Sequence, residues 1–224
     1  MKNFLLLISL LFITPIISSA ALKPKESKTI YVSSQSGQRV LFGAKRLMTK
    51  LNEAGYDVKL TVLDYKGKLP KGKSAVVIGT NTDKVLANLF PLDLKNKATS
   101  AGKEGFTTAY DKDGTLFLIG ADNSGTLYSC IDLTEKIEAN NQKIPTQLDF
   151  VDKPHMVLRG TCIGLQKPDY LPGRDVYEYP YTPESFPWFY DKKLWVKYLD
   201  MMVENRFNSL YLWNGHPFSS LVKL

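Results

Sequence analysis

The sequence predicts an α/β protein built in two parts, a mixed-sheet unit followed by a separate β-α-β unit. Three observations carry that prediction. Short runs of β-branched and aliphatic residues alternate with stretches whose apolar residues recur at helical spacing. One pair of runs, 106–110 and 116–119, flanks Asp111-Lys112-Asp113-Gly114, a hairpin turn that makes the sheet mixed rather than purely parallel. Beyond Pro154, a strand, a helix and a strand follow in the order of a right-handed parallel crossover.

The amino end reads as a targeting segment. Lys2 gives a short positive start, Phe4 to Ile17 is an almost unbroken apolar run without charge, and Ser18, Ser19, Ala20 and Ala21 supply small residues. This is the layout of a secretory signal peptide over 1–20, with Ser18 and Ala20 as the small pair before the cut. The alternative, an uncleaved anchor, is disfavoured by the short run and by Lys23 and Lys25 close behind it. No later stretch is apolar enough to cross a membrane. The expectation is an exported protein, periplasmic or extracellular, with no integral membrane segment after signal cleavage.

A content of 44% hydrophobic and 12% aromatic residues excludes a disordered chain. The formal charge of +7 raises the question of nucleic acid, but the mild cluster of Lys66, Lys68, Lys71 and Lys73 lies in a different part of the chain from the aromatic-rich stretch 170–190. A nucleic-acid binder gathers both on one face, so no nucleic-acid partner is expected. A solvated basic surface fits better, and an acidic glycan is compatible with it. Export permits a disulfide between Cys130 and Cys162. Each also falls at an apolar position of a predicted element, where a free Cys serves as a small hydrophobe. His155 and His216 are too isolated for a zinc site, and no cofactor is expected.

Residues 28–150 form the first unit. A β-prone run at 29–32 precedes Val40, Leu41, Ala44, Leu47, Met48 and Leu51, which share one helical face ending at Gly55. Strands follow at 58–63 and, fully buried, at 75–78. A short helix is predicted around 83–90, stopping before Pro91. After the hairpin, Gly120 leads through Ala121-Asp122-Asn123-Ser124-Gly125 into a helix with Leu127, Cys130, Ile131, Thr134 and Ile137 on one face. The spacing of Gly120 and Gly125 is that of a phosphate loop, but the Lys that grips phosphate is absent, and no dinucleotide fingerprint is present either. Asn123 or Ser124 is expected to cap the helix, and Gly125 to let it lie close on the sheet.

The run Gly120-x-Asp122-x-x-Gly125-Thr126-Leu127-Tyr128 resembles the strand-to-helix segment of an accessory domain that precedes the catalytic barrel of many glycoside hydrolases. α-Glucuronidases and bacterial-type β-N-acetylhexosaminidases are among them. Relatives often carry Gly after the aromatic residue, where this chain has Ser129. The resemblance spans about 29–150, and its residues imply architecture rather than catalysis.

Val151 to Pro154 reads as a linker. Met156 to Ile163 is a β-rich run holding Arg159, and a long loop runs from Gly164 to Tyr190. Asp191 then caps a helix with Leu194, Trp195, Tyr198, Leu199, Met202 and Val203 along one stripe, and 209–213 is a second apolar strand. Such a unit cannot bury both faces of its own sheet. It either extends the first sheet or, as the resemblance implies, opens a (β/α)8 barrel over 154–224. A barrel takes about 250 residues, so the expectation is a truncated one.

In a barrel the active site lies where strands end and helices begin. The first loop gathers Tyr170, Tyr177, Tyr179, Tyr181, Phe186, Trp188, Phe189 and Tyr190 among prolines. Most of these rings are expected to pack the loop, with one or two, Trp188 foremost, offering a flat face to a sugar. Asn214 and His216, straight after the second strand, suit hydroxyl or carboxylate recognition. Arg159, inside an apolar strand, needs either a protein carboxylate or an acidic or hydroxyl-rich substrate. The resemblance to hexosaminidase barrels implies a sugar-gripping Arg at such a position. Those enzymes usually have an Asp shortly before it, where this chain has His155 and Met156, which favours the α-glucuronidase side. Glycoside hydrolysis needs two carboxyl groups, and nothing in the spacing of Asp175, Glu178 and Glu184 marks them as that pair. The expected function is the amino-terminal portion of an exported, α-glucuronidase-like glycoside hydrolase, inactive by itself. The partner would be an oligosaccharide or polysaccharide. The alternatives are a non-catalytic carbohydrate-binding protein and a truncated remnant.

Overall fold

The fold is described from a computed structural model, covering residues 25–64, 71–86, 88–164, 183 and 187–213. The predicted signal segment, most of the aromatic loop, and Asn214 and His216 lie outside these residues.

Six strands form one mixed sheet: β1 (Ser27–Ser33), β2 (Asp57–Leu63), β3 (Ala75–Thr80), β4 (Phe106–Tyr110), β5 (Leu116–Gly120) and β6 (Asp149–Asp152), in the order β2-β1-β3-β5-β4-β6. β2, β1, β3 and β5 run parallel, while β4 pairs antiparallel with both β5 and β6. Every residue of β3 and β5 is buried, as central strands covered on both faces must be.

Alternation along these strands feeds two cores. Val76, Ile78, Leu116 and Leu118 face one way, toward Val40, Ala44, Leu47 and Leu51 of α1 (Gln38–Glu53) and Cys130, Leu133 and Ile137 of α3 (Asn123–Ala139). Val77, Phe117 and Ile119 face the other way, toward Leu86, Phe90, and Leu94 and Ala98 of α2 (Leu92–Ala101). The result is a three-layer sandwich, helices on both faces of one sheet.

Within the six-stranded domain the structure differs from the sequence reading at four places. Residues 83–86 and 88–90 form turns rather than a helix, because Asp83 Oδ1 accepts from the amides of Val85 and Leu86 and holds the chain in a local turn. Pro91 instead begins a helix: it precedes α2, where its missing N–H costs nothing. The stretch read as a linker supplies β6, whose pairing with β4 satisfies its backbone. Finally, the cap of α3 is Asp122, whose Oδ1 accepts from Gly125 N at 2.8 Å; neither Asn123 nor Ser124 fills that role. Gly125 does permit a close approach, for a Cβ there would overlap the Gly105 carbonyl oxygen.

The remaining elements stand apart from that sheet. β7 (Gly160–Gly164) and β8 (Ser209–Trp213) pair in parallel as a separate two-stranded sheet, joined through α4 (Lys192–Glu204). This excludes an extension of the first sheet. Asp191 caps α4 as expected, accepting from the amides of Lys193 and Leu194. Residues 156–159 lie before β7 rather than in it, and Met156, Val157 and Leu158 are exposed. Cys130 and Cys162 are both free, and Cys162 is exposed rather than packed.

Candidate functional site

Strand direction gives the β7-α4-β8 unit two distinct ends. The amino ends of β7 and β8 abut the six-stranded domain; the carboxyl ends, about 15 Å away along five-residue strands, lead into the loop before α4 and the segment after Trp213.

The amino end is a dense polar seam. Arg159, the residue before β7, donates from Nε to the Arg206 carbonyl (2.8 Å) and from Nη1 to the Met156 carbonyl (2.7 Å). From Nη2 it donates to Glu104 Oε2 (2.8 Å) and to the Tyr128 hydroxyl (3.2 Å). Its side chain is 11% exposed and that of Glu104 12%. Asn208, the residue before β8, accepts from Arg159 N at 3.0 Å and donates to Glu104 Oε1 at 3.4 Å. One carboxylate thus touches residues at the start of both strands.

A second arginine adds to the seam. Arg206 reaches Asp152 at the end of β6 (3.0 Å) and Asp132 (3.3 Å) and Glu135 (3.4 Å) on α3. Its guanidinium lies over the Phe106 ring, and Arg159's over Tyr128. Arg46 on α1 pairs with Glu204 at the end of α4. A cleft of about 700 Å³ follows this seam, lined by Arg39, Lys103, Tyr128, Leu199 and Phe207 among others.

The electrostatics suit a structural contact. Burial works against Arg159's charge, but the hydrogen bond and charge of Glu104 outweigh it and hold its pKa above the ordinary value. Burial and the Glu104 charge raise the Tyr128 pKa, with Arg159 opposing, so the phenol stays neutral up to and beyond the ordinary Tyr value of about 10. Of the two partners open to Arg159 in the sequence, the structure supplies the protein carboxylate. The placement of Arg159 inside a strand is corrected at the same point, since β7 begins one residue later.

Trp188 lies toward the other end. It belongs to a single 3-10 turn (Pro187–Tyr190) directly before α4, whose later residues Leu199, Met202 and Val203 line the seam, so this turn lies at the far end of the helix. Its ring sits 6.0 Å from Phe189 and 6.3 Å from Trp195, and Trp195 Nε1 donates to the Phe189 carbonyl at 2.7 Å. Phe189 is buried, Trp188 half-buried and Tyr190 exposed, so this turn packs one ring and leaves others partly open. The remaining predicted site residues, Asn214 and His216, are outside the described residues, as are Tyr170, Tyr177, Tyr179, Tyr181 and Phe186.

Glu104, Asn208 and Arg206 were not singled out by the sequence. Their only signal was indirect: a charged residue between Gly102 and Gly105, and polar residues in a helix-to-strand turn. Among the described residues, no group of His, Cys, Asp and Glu could hold a metal ion, and no helix is long and apolar enough to cross a membrane.

Solved structures resemble this chain. Over 88% of its length it superposes on a GH138 enzyme targeting pectin rhamnogalacturonan II, with 41% sequence identity and a TM-score of 0.63. It matches a GH115 4-O-methyl-α-glucuronidase with specificity for decorated arabinogalactans over 85% of its length, with 14% identity and a TM-score of 0.56. The second likeness is one of fold. The chain spans 19% of the length of the first enzyme and 25% of the second. No family model and no curated protein matches it. These structural neighbours are glycoside hydrolases, and the chain carries a glycoside-hydrolase-like domain.

Proposed function

We propose that this chain is the amino-terminal portion of an exported, α-glucuronidase-like glycoside hydrolase that acts on an acidic, pectin-type polysaccharide, and that it is inactive alone. The observation that carries the reading is the 41% identity over 88% of the chain to an enzyme targeting pectin rhamnogalacturonan II. The formal charge of +7 suits an acidic polymer. The apolar run and small residues within 1–20 support export.

On this reading β7-α4-β8 opens a (β/α)8 barrel. The seam around Arg159 is then the stability face, and the carboxyl ends of β7 and β8 are the catalytic face. Trp188, Asn214 and His216 belong to the catalytic side, with Trp188 offering a ring to a sugar and the other two offering hydrogen bonds. Arg159 belongs to the seam, away from substrate. The two hydrolytic carboxyl groups come from later strands.

The test uses the longest product of the native gene. It is incubated with rhamnogalacturonan II, with arabinogalactan and with a neutral β-glucan, and released sugars are separated by charge. Release of an acidic sugar from the pectic polymer, with the neutral glucan untouched, is the expected result. Binding to the pectic polymer without any release would instead establish a non-catalytic carbohydrate-binding protein.

A further inference from the structure

Four non-glycine residues among the described ones have positive φ: Glu104 (60°), Asn141 (53°), Gln142 (61°) and Arg206 (57°). Asn141 and Gln142 turn the chain after α3. The other two are the residues whose charges tie the two sheets together. Left-handed backbone is unfavourable for Glu and Arg, and it persists only where the surroundings over-determine it.

The surroundings of Glu104 are explicit. Asp122 uses both carboxylate oxygens: Oδ1 accepts from Gly125 N at 2.8 Å, and Oδ2 accepts from Glu104 N at 2.9 Å. The next carbonyl, that of Gly105, accepts from Ala121 N at 2.9 Å and occupies the space a Cβ on Gly125 would need. The turn at 102–105 is therefore gripped from two sides by the turn at 120–125. So held, Glu104 directs its carboxylate at Arg159 and Asn208, the residues before β7 and β8.

We propose that the Gly120-x-Asp122-x-x-Gly125 segment is a docking device: Asp122 and Gly125 fix Glu104 in its left-handed conformation, so that one carboxylate seats the amino ends of both β7 and β8 on the six-stranded domain. Asp122 is a positioning residue that acts through Glu104, in addition to capping α3. This role goes beyond the proposed hydrolase activity and stands whichever sugar is cut.

Asp122→Asn separates the two roles. Asn caps helices as well as Asp, so the bond from Gly125 N survives, but an amide NH2 then faces the Glu104 N–H in place of an acceptor. Backbone hydrogen exchange on the full 224-residue chain is measured for Asp122→Asn, Glu104→Gln, Glu104→Gly, the Asp122→Asn/Glu104→Gln double variant and Lys71→Ala, which breaks a pair with Asp113 at the opposite end of β4 from Glu104. Exchange in 160–164 and 209–213 is expected to rise roughly tenfold in each of the first three, the scale of losing one charge-assisted hydrogen bond. β1, β3 and β5 should be unchanged. The double variant should exceed neither single one, since both break the same link, and Lys71→Ala should match the parent. Glu104→Gly is decisive in its own right, because it relieves the left-handed backbone while removing the carboxylate. Unchanged exchange at β7 and β8 in that variant would overturn the proposal. So would a rise spread evenly over both sheets in any of the first three, or additive losses in the double variant.

Discussion

Arg159 shows how far residue type alone reaches. A guanidinium among apolar neighbours called for a partner, and that much was legible. Which partner was not, because Glu104 lies 55 residues away in sequence and Arg206 owes its role to partners 54 to 74 residues distant. No local pattern encodes such a pairing; only the docking of two sheets creates it. Removing one member of a well-buried ion pair strands the other, so Arg159→Ala should lower the stability of the docked unit by about 3 kcal/mol in urea titration. Arg159→Lys should recover little, since a point charge cannot serve Glu104, Tyr128 and two carbonyls at once. Equal stability of all three proteins would show that the seam contributes nothing.

The two cysteines make a second residue-scale test. Cys130 is buried against α1, and burial pushes its thiol up to about 12. Cys162 is exposed. A thiol reagent at pH about 8 should therefore modify Cys162 in the native chain and reach Cys130 only after unfolding, as mass spectrometry of the labelled peptides would show. The linkage has a definite sign. The unfolded thiol ionises near about 8.5, while the folded one keeps its proton to about 12. The stability that Cys130 contributes is present below pH about 8.5 and is lost as pH climbs from there toward about 12.

At the scale of elements, periodicity was legible where burial was two-sided or a cap was local. β3 and β5 read as continuous apolar runs because both faces are covered, and α4 was bracketed by Asp191 and the stripe ending at Val203. α2 and β6 were missed for opposite reasons. α2 is polar, with only Leu94, Ala98 and Ala101 buried, and it follows a proline that also looks like a terminator. β6 is a four-residue edge strand whose identity comes from pairing with β4 rather than from its own sequence. The packing ranks these elements in importance. Leu133→Ala, at the contact of α3 with α1 and the sheet, should cost about 2–5 kcal/mol. Asp191→Ala should cost about 1 kcal/mol, being the loss of one cap. A thermal or urea series in which the cap variant proved the more damaging would contradict this ranking of the core.

At the scale of the molecule, a three-layer domain and a β-α-β unit meet end-on through ion pairs and through Val203 of α4, which packs on Phe106, Leu127, Tyr128 and Ile131, while the carboxyl ends of β7 and β8 point away from the seam. The parallel crossover was legible in the sequence, because it follows from element order, while the division into two sheets was only what the resemblance implied and one of two readings left open. The way the parts join was not legible, because its central ion pairs rest on two left-handed residues, Glu104 and Arg206, that no composition or period marks. On the proposed reading, the catalytic face of the hydrolase is completed by strands outside this chain.

That is tested most directly by assaying reducing ends released from rhamnogalacturonan II by two proteins side by side, the 224-residue chain and the longest product of its native gene. Release by the long product and none by the chain alone is the expected result. Release by the 224 residues themselves, or none by the long product, would contradict it.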